Sequence, residues 1–332
     1  LDRFIVGTGR CGSTLLSRML AGHPEVCSIF EFFTGLDWGR RFASTPMSGS
    51  ELAALLSTPN AVVTAVLRRG YEVEEITYPF GRGRYRRDEP LPWILVSMLP
   101  RLSPDPDRLF DEVMAFARVL QAEPPAQLYR RLFEWLAARA GSAAWIERSG
   151  SSVDYLASLD ACFPEARFLH LHRDGPETAL SMREHHAYRL PIALLYDAPL
   201  DTGERPSELG PLDLGAPPTP GDPITRILAS RPSAAAYGRY WSDQVGRGTD
   251  AAARIPSERL LALPFEELLA APRETLRRIA TFFVLPEDGA WIERAAALVR
   301  GAPPARLLAL APSERESLLE ACRPGQRRLG RT

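Results

Sequence analysis

Eight residues near the start of the chain, Gly7-Thr8-Gly9-Arg10-Cys11-Gly12-Ser13-Thr14, have the composition to hold an anion. A strand that enters a helix through glycines leaves backbone N–H groups without intrahelical acceptors. Those groups point at one spot, backed by the positive end of the helix, which suits a phosphate. Ser13 and Thr14 add hydroxyl donors in the first turn. Arg10, in the middle of the turn, adds a fixed positive charge able to meet charge developing on a transferring group.

The turn satisfies more than one pattern. Gly7, Gly9 and Gly12 form a literal G-x-G-x-x-G, and Glu31, 24 residues after Gly7, could take a ribose hydroxyl, which makes an NAD(P)-dependent oxidoreductase one reading. Gly7 and Gly12 also fit the outer glycines of a triphosphatase P-loop, but Ser13 stands where that loop requires Lys. All 40 basic residues are Arg, so no lysine elsewhere could substitute. The polar Ser13-Thr14 pair favours a tightly held terminal phosphate over a diphosphate passing by. A non-catalytic nucleotide-binding module with the same grips is a third reading.

Other reactive residues are fewer. Glu31, in Ile29-Phe30-Glu31-Phe32-Phe33, sits among aromatics, where desolvation strengthens a carboxylate as a general base. Cys11, Cys27, Cys162 and Cys322 lie far apart, with no Cys-x-x-Cys pair and no His at zinc-ligand spacing, so no metal is expected. Cys11, at a helix start, is expected to have a depressed pKa and to oxidise incidentally. His170 and His172 on a strand and His185 and His186 on a helix read as core or surface residues. Cys322-Arg323-Pro324-Gly325-Gln326-Arg327-Arg328 matches the bare Cys-x5-Arg of phosphatases but is followed by no helix to hold an anion.

The elements that must position these groups alternate. Phe4-Ile5-Val6, Val26 to Phe30, Trp145-Ile146, Phe168 to Leu171 and Arg259 to Leu263 read as strands. Leu15, Leu16, Met19 and Leu20 recur at helical spacing, and Phe265 to Leu269, Thr275 to Phe283, Trp291 to Val299 and Ser313 to Cys322 read as helices. Strand–helix alternation predicts an α/β fold, a central parallel sheet flanked by helices, with 1–332 as a single domain. Arg68 to Arg108, rich in Arg and aromatics, reads as an acceptor-side insertion or a solvated surface, and 197–223, with seven prolines, as a long loop. The segments 32–110 and 190–225 read as pocket-forming loops.

With 40 basic and 41 acidic residues the charge is nearly balanced, so no broad nucleic-acid footprint is expected and any anion site is local. No apolar run approaches the ~18 residues needed to cross a bilayer, and Leu1-Asp2-Arg3-Phe4 opens no export segment, so a cytoplasmic protein without stable membrane insertion is expected. The chain does not begin with Met, which leaves room for a trimmed leader or fusion partner.

Phe4-Ile5-Val6-Gly7-Thr8-Gly9-Arg10-Cys11-Gly12-Ser13-Thr14-Leu15-Leu16 resembles the 5′-phosphosulfate loop of sulfotransferases that use 3′-phosphoadenosine 5′-phosphosulfate (PAPS), in the variant with Arg rather than Lys. His23-Pro24-Glu25-Val26 is similar to the tyrosylprotein and bacterial branches of that family. Cys11 stands where the family commonly has serine. Phe168 to Met182 resembles the family's 3′-phosphate site, which implies that Arg173 and Ser181, eight residues apart, grip one phosphate. Trp145-Ile146-Glu147-Arg148-Ser149 places Arg148 where the family often has a Lys that polarises the sulfuryl group. Glu31 matches the family's base approximately. The likeness covers 4–31, 145–190 and, more loosely, 257–286. It implies sulfuryl transfer from PAPS to a hydroxyl or amine of a small-molecule, lipid or carrier-bound acceptor. Glu31 would be the base, Arg10 and Arg148 the charge clamps, and Gly9, Arg10, Cys11, Gly12, Ser13, Thr14, Arg173 and Ser181 the donor contacts.

Overall fold

The five predicted strands are mainly apolar runs, as strands covered on both faces are, with Ser28, His170 and Arg259 as their polar members. A computed structural model describing residues 1–301 and 303–331 contains all five: β1 (Arg3–Gly7), β2 (Val26–Phe30), β3 (Ala144–Arg148), β4 (Arg167–His172) and β5 (Leu260–Pro264). They pair in parallel in the order β2-β3-β1-β4-β5. The α/β architecture expected from alternation is therefore the one observed. Phe30 pairs with Arg148, Arg148 with Ile5, and Ile5 with Leu169, while Gly7 pairs with Leu171 and Leu171 with Leu263. This register gathers the loops that follow Gly7, Phe30, Arg148 and His172 at one end of the sheet, where parallel α/β sheets hold ligands.

The chain folds into two compact units. The first comprises Leu1–Thr58, Trp93–Arg173 and Arg247–Pro303 and contains the whole sheet. Side chains alternate across a strand, so Phe4 and Ile5 face opposite layers. Phe4 stacks on Phe168 at 5.5 Å between centroids and meets Trp145 edge-on at 5.6 Å. On the other face Ile5 joins Ile146, Leu169 and Leu171 in a core with Leu16, Met19 and Leu20 of helix α1 (Ser13–Ala21). Spacings of three and four place those α1 residues on one helix face. Trp291 closes this layer, its indole N–H donating to the Met19 carbonyl at 2.7 Å.

The second unit comprises Pro59–Pro92, Asp174–Gly246 and Pro304–Thr332. One of its cores surrounds Trp241, with Ala179, Met182, Tyr237 and Leu318; another packs Val66, Leu190, Ile224 and Ile227. Gly175 and Gly325 both approach Trp241 so closely that a Cβ at either would lie 2.5 Å from its ring. Glu177 accepts from the Arg306 and Leu307 amides at 3.0 Å each.

The loop reading of 32–110 and 190–225 needs correction. Helices occupy Gly49–Ser57, Ala61–Arg68 and Trp93–Ser97 in the first stretch, and Pro106–Arg118 begins within it. The physical reason lies in their caps: Ser48 and Glu51 form a reciprocal capping box, Asn60 accepts from the Val63 amide, and Asp105 accepts from the Arg108 amide ahead of Pro106. A helix over His186–Tyr196 reaches into the second stretch despite Pro191. Within 197–223 the only regular element before Pro223 is a 3₁₀ turn, Pro206–Glu208. Among the described residues no helix is long and apolar enough to cross a membrane.

Candidate active site

The turn after β1 is shaped by two positions that exclude a side chain. A Cβ on Gly7 would lie 2.6 Å from the Leu171 carbonyl oxygen. At Gly12, φ is +94° and a Cβ would lie 2.2 Å from the Phe265 ring. Between them Arg10 holds φ at +62°, a left-handed conformation that costs a non-glycine residue ~1–3 kcal/mol. The Gly7 amide donates to Ser152 Oγ at 3.2 Å, and Thr8 Oγ1 is buried without a hydrogen-bond partner. Ser13 is buried and Thr14 exposed in the first turn of α1, where helix geometry leaves their amides no intrahelical acceptor.

Arg173, at the exit of β4 and 8% exposed, reaches back to this turn. Its Nη1 lies 3.4 Å from the Arg10 carbonyl oxygen, and its guanidinium sits 5.4 Å from the Phe265 ring centroid. Arg173 closes one segment of the first unit. Ser181 belongs to the second unit, buried in the helix Gly175–Arg183, whose cap is Asp174 accepting from the Glu177 amide at 3.0 Å.

A second cluster lies at the ends of β2 and β3. Glu31 and Arg148 are 3% and 2% exposed and form a buried ion pair, Arg148 Nη1 donating to Glu31 Oε1. The other arm of the guanidinium, Nη2, donates to Thr14 Oγ1 at 2.7 Å. Glu31 Oε2 accepts from Thr34 Oγ1 at 2.7 Å and from the Gly150 amide at 2.9 Å. The Glu31 amide donates to the Arg148 carbonyl at 2.7 Å, and the Trp93 indole N–H donates to the Glu31 carbonyl. The Arg148 guanidinium lies 4.0 Å from the Phe30 ring centroid, and its Nε is buried without a partner. Arg10, Glu31 and Ser151 are three of the five non-glycine residues with positive φ among the described residues, so backbone strain concentrates at this end of the sheet.

Behind the pair, Ser149 Oγ donates to Glu147 Oε1 and accepts from the Phe33 amide at 3.0 Å. Burial pushes the Glu147 carboxyl up to about 8, and the Ser149 hydrogen bond opposes part of that rise while the neighbouring Glu31 charge adds to it. Burial likewise pushes the Cys11 thiol upward, outweighing its hydrogen bonds to Ser13 and the nearby Arg148 charge. This corrects the expectation of a depressed, oxidisable Cys11: the helix end is present, but the sulfur is fully enclosed against Gly7. His170 is buried with its pKa lowered to about 4, by burial first and by His172 second.

The structure thus joins Thr14, Glu31 and Arg148 directly and sets Arg173 against Arg10. Sequence reasoning did not identify Thr34, Gly150, Trp93 or Phe265. Only the aromatic density around Trp93 gave any signal.

No family model and no curated protein matches the sequence. Solved structures do match. The sulfotransferase domain from the curacin biosynthetic pathway aligns over 100% of this chain and 98% of its own, at TM-score 0.51 and 12% identity. The fold is that of the sulfotransferases. Sulfotransferase STF9 from Mycobacterium avium (19% identity, 99% of this chain and 75% of that one, TM-score 0.47) and mouse sulfotransferase SULT7A1, solved with PAP (10% identity, 98% and 84%, TM-score 0.43), are looser matches. At these identities the likeness concerns architecture, and each residue's role must come from its own surroundings. In this sulfotransferase fold the β1 turn, Thr14 and the Glu31–Arg148 pair lie at the carboxyl ends of β1, β2 and β3. There they offer backbone donors, two guanidinium groups and one carboxylate.

Proposed function

We propose that the chain is a PAPS-dependent sulfotransferase, with 1–332 acting as one domain, 68–108 as an acceptor-side insertion and 197–223 as a loop within it. The observation that carries this reading is the single guanidinium, Arg148, shared between the carboxylate of Glu31 and the first turn of α1. PAPS supplies an activated sulfuryl group whose S–O bond to phosphate breaks as one to the acceptor oxygen forms. Gly9 to Thr14 suit its 5′ end through backbone and hydroxyl donors. The sequence resemblance assigns the 3′-phosphate to Arg173 and Ser181. The orphaned Thr8 hydroxyl and Arg148 Nε are unspent donors in the same region, which supports an anionic occupant.

Glu31, as base, takes the acceptor's proton. Both Glu31 oxygens already accept hydrogen bonds, from Arg148, Thr34 and the Gly150 amide, so an acceptor hydroxyl must displace one of these donors to reach the carboxylate. An anion beside Thr14 competes for Arg148, so donor binding draws that guanidinium away from Glu31 and opens Oε1 to the acceptor. Arg10 and Arg148 act as charge and hydrogen-bond clamps, since a guanidinium keeps its proton at neutral pH.

The rival reading is an NAD(P)-dependent oxidoreductase in which Glu31 holds a ribose hydroxyl. Thermal shift separates the two readings. 3′-Phosphoadenosine 5′-phosphate at a hundred times its Kd should add about 2.7 kcal/mol, and NAD nothing. Stabilisation by NAD alone overturns the proposal. Stabilisation by the bisphosphate, with no transfer of labelled sulfate to any of a panel of phenols, sugars, lipids and acyl-carrier thioesters, points to the non-catalytic binding module.

A further inference from the structure

A cleft of about 350 Å³ runs along β2, one of the two edge strands of the sheet. That volume lies within the usual range for small-molecule sites. Its walls include Ser17 and Arg18 of α1, Ser28 and Phe30 of β2, and Arg101, which ends the 3₁₀ turn Leu99–Arg101. Two guanidinium groups line it, and no Asp or Glu does. His23 also lines it, but that ring is committed: Nε2 lies 3.0 Å from the Pro286 carbonyl oxygen and Nδ1 accepts from the Glu25 amide at 3.1 Å.

Two features connect the cleft to the Glu31–Arg148 pair. Arg18 follows Thr14 by four residues on α1, so it lies on the same helix face about 6 Å further along. Phe30 carries Arg101 on its ring at 3.8 Å and Arg148 at 4.0 Å, so one ring is shared by the cleft and by the guanidinium that holds Glu31. Ser17 and Ser28, bonded to each other at 2.8 Å, add hydroxyls to the wall.

We propose that this cleft binds the acceptor through an anionic group, a carboxylate or a phosphate ester, held by Arg18 and Arg101, while the acceptor's hydroxyl is directed toward Glu31. The direction of the hydroxyl rests on the sulfuryl-transfer reading; the anion site does not. Guanidinium groups form forked hydrogen bonds with both kinds of anion and keep their charge at any working pH. The paired guanidinium charge favours an anionic ligand and weakens with salt.

Calorimetry on protein saturated with 3′-phosphoadenosine 5′-phosphate tests this with three probes: p-hydroxyphenylpropionate, its methyl ester and tyrosol phosphate. The wild type should bind at least one anion roughly 10-fold or more tighter than the ester, about 1.4 kcal/mol. The tighter of the two identifies the headgroup. In the Arg18→Ala, Arg101→Ala double variant the preference should shrink to within about 2-fold, with ester binding unchanged. The Arg18→Gln, Arg101→Gln pair gives the same readout if the alanine pair fails to fold. Equal binding of all three probes, binding of none, or a preference that survives both substitutions overturns the proposal. Transfer of labelled sulfate to the ester is read separately. Sulfation without anion preference rejects the anion site and keeps the transfer reading, whereas arginine-dependent anion binding without sulfation of any probe does the reverse.

Discussion

Arg148 ties Glu31 to Thr14: one arm of its guanidinium donates to the Glu31 carboxylate and the other, at 2.7 Å, to the Thr14 hydroxyl. A buried charge is tolerated because its partner is present, so deleting one member leaves the other uncompensated. Arg148→Ala should therefore lose about 3–5 kcal/mol of stability in urea unfolding. The Glu31→Leu, Arg148→Met double variant should recover much of that loss. A double variant as unstable as the sum of its single changes would show that the pair is not coupled.

Glu31→Gln keeps the shape of the side chain and removes its ability to take a proton. Turnover should fall roughly 10²- to 10⁴-fold. Binding of 3′-phosphoadenosine 5′-phosphate, measured by calorimetry, should be kept or tightened, because the ligand no longer competes with a carboxylate for Arg148. Full turnover in this variant would assign proton transfer elsewhere.

Arg173 stands against the Arg10 carbonyl and the Phe265 ring, with its charge at the mouth of the β1 turn. Loss of a charged hydrogen bond costs ~1.5–3 kcal/mol, so Arg173→Ala should weaken the bisphosphate by roughly 10- to 100-fold. Adenosine 5′-phosphate should weaken far less. If both ligands weaken equally, the 3′-phosphate is not the group that Arg173 holds.

Glu147 makes stability depend on pH in a stated direction. Burial raises its carboxyl from 4.5 to about 8, so the native state binds this proton more tightly than the unfolded chain does. Its contribution is complete below the unfolded value and is lost as pH rises through about 8, with a slope of at most ~1.4 kcal/mol per pH unit. Urea unfolding between pH 5 and 8 should show the wild type losing stability relative to Glu147→Gln. Parallel curves for the two proteins would remove Glu147 from this role.

Much of the frame was readable because its strands are written as short, mainly apolar runs and the glycine turn has few conformational alternatives. Phe4-Ile5-Val6 and Phe168 to Leu171 could be placed as strands, but their adjacency depends on crossovers that no local pattern encodes. The same holds within the site. Arg10, Ser13 and Thr14 come from one turn, whereas the contacts that fix Glu31 come, apart from Thr34, from Trp93, Arg148 and Gly150, all distant in sequence. Phe265, far from Gly12 in sequence, occupies the space a Gly12 side chain would need, and nothing in its own neighbourhood marks it. The helices at 49–57 and 61–68 are a different case. Their capping residues, Ser48, Glu51 and Asn60, stand in the sequence within three residues of the helix starts, so these two helices are encoded locally.

The left-handed turn position held by Arg10 has a practical consequence in a chain whose 40 cationic side chains are all arginine. Arg10→Lys would keep a long cationic side chain there and introduce the sole primary amine on any side chain. An acylating reagent would then label the turn and, besides it, only the amino terminus. Protection of that one nucleophile would count occupied molecules directly.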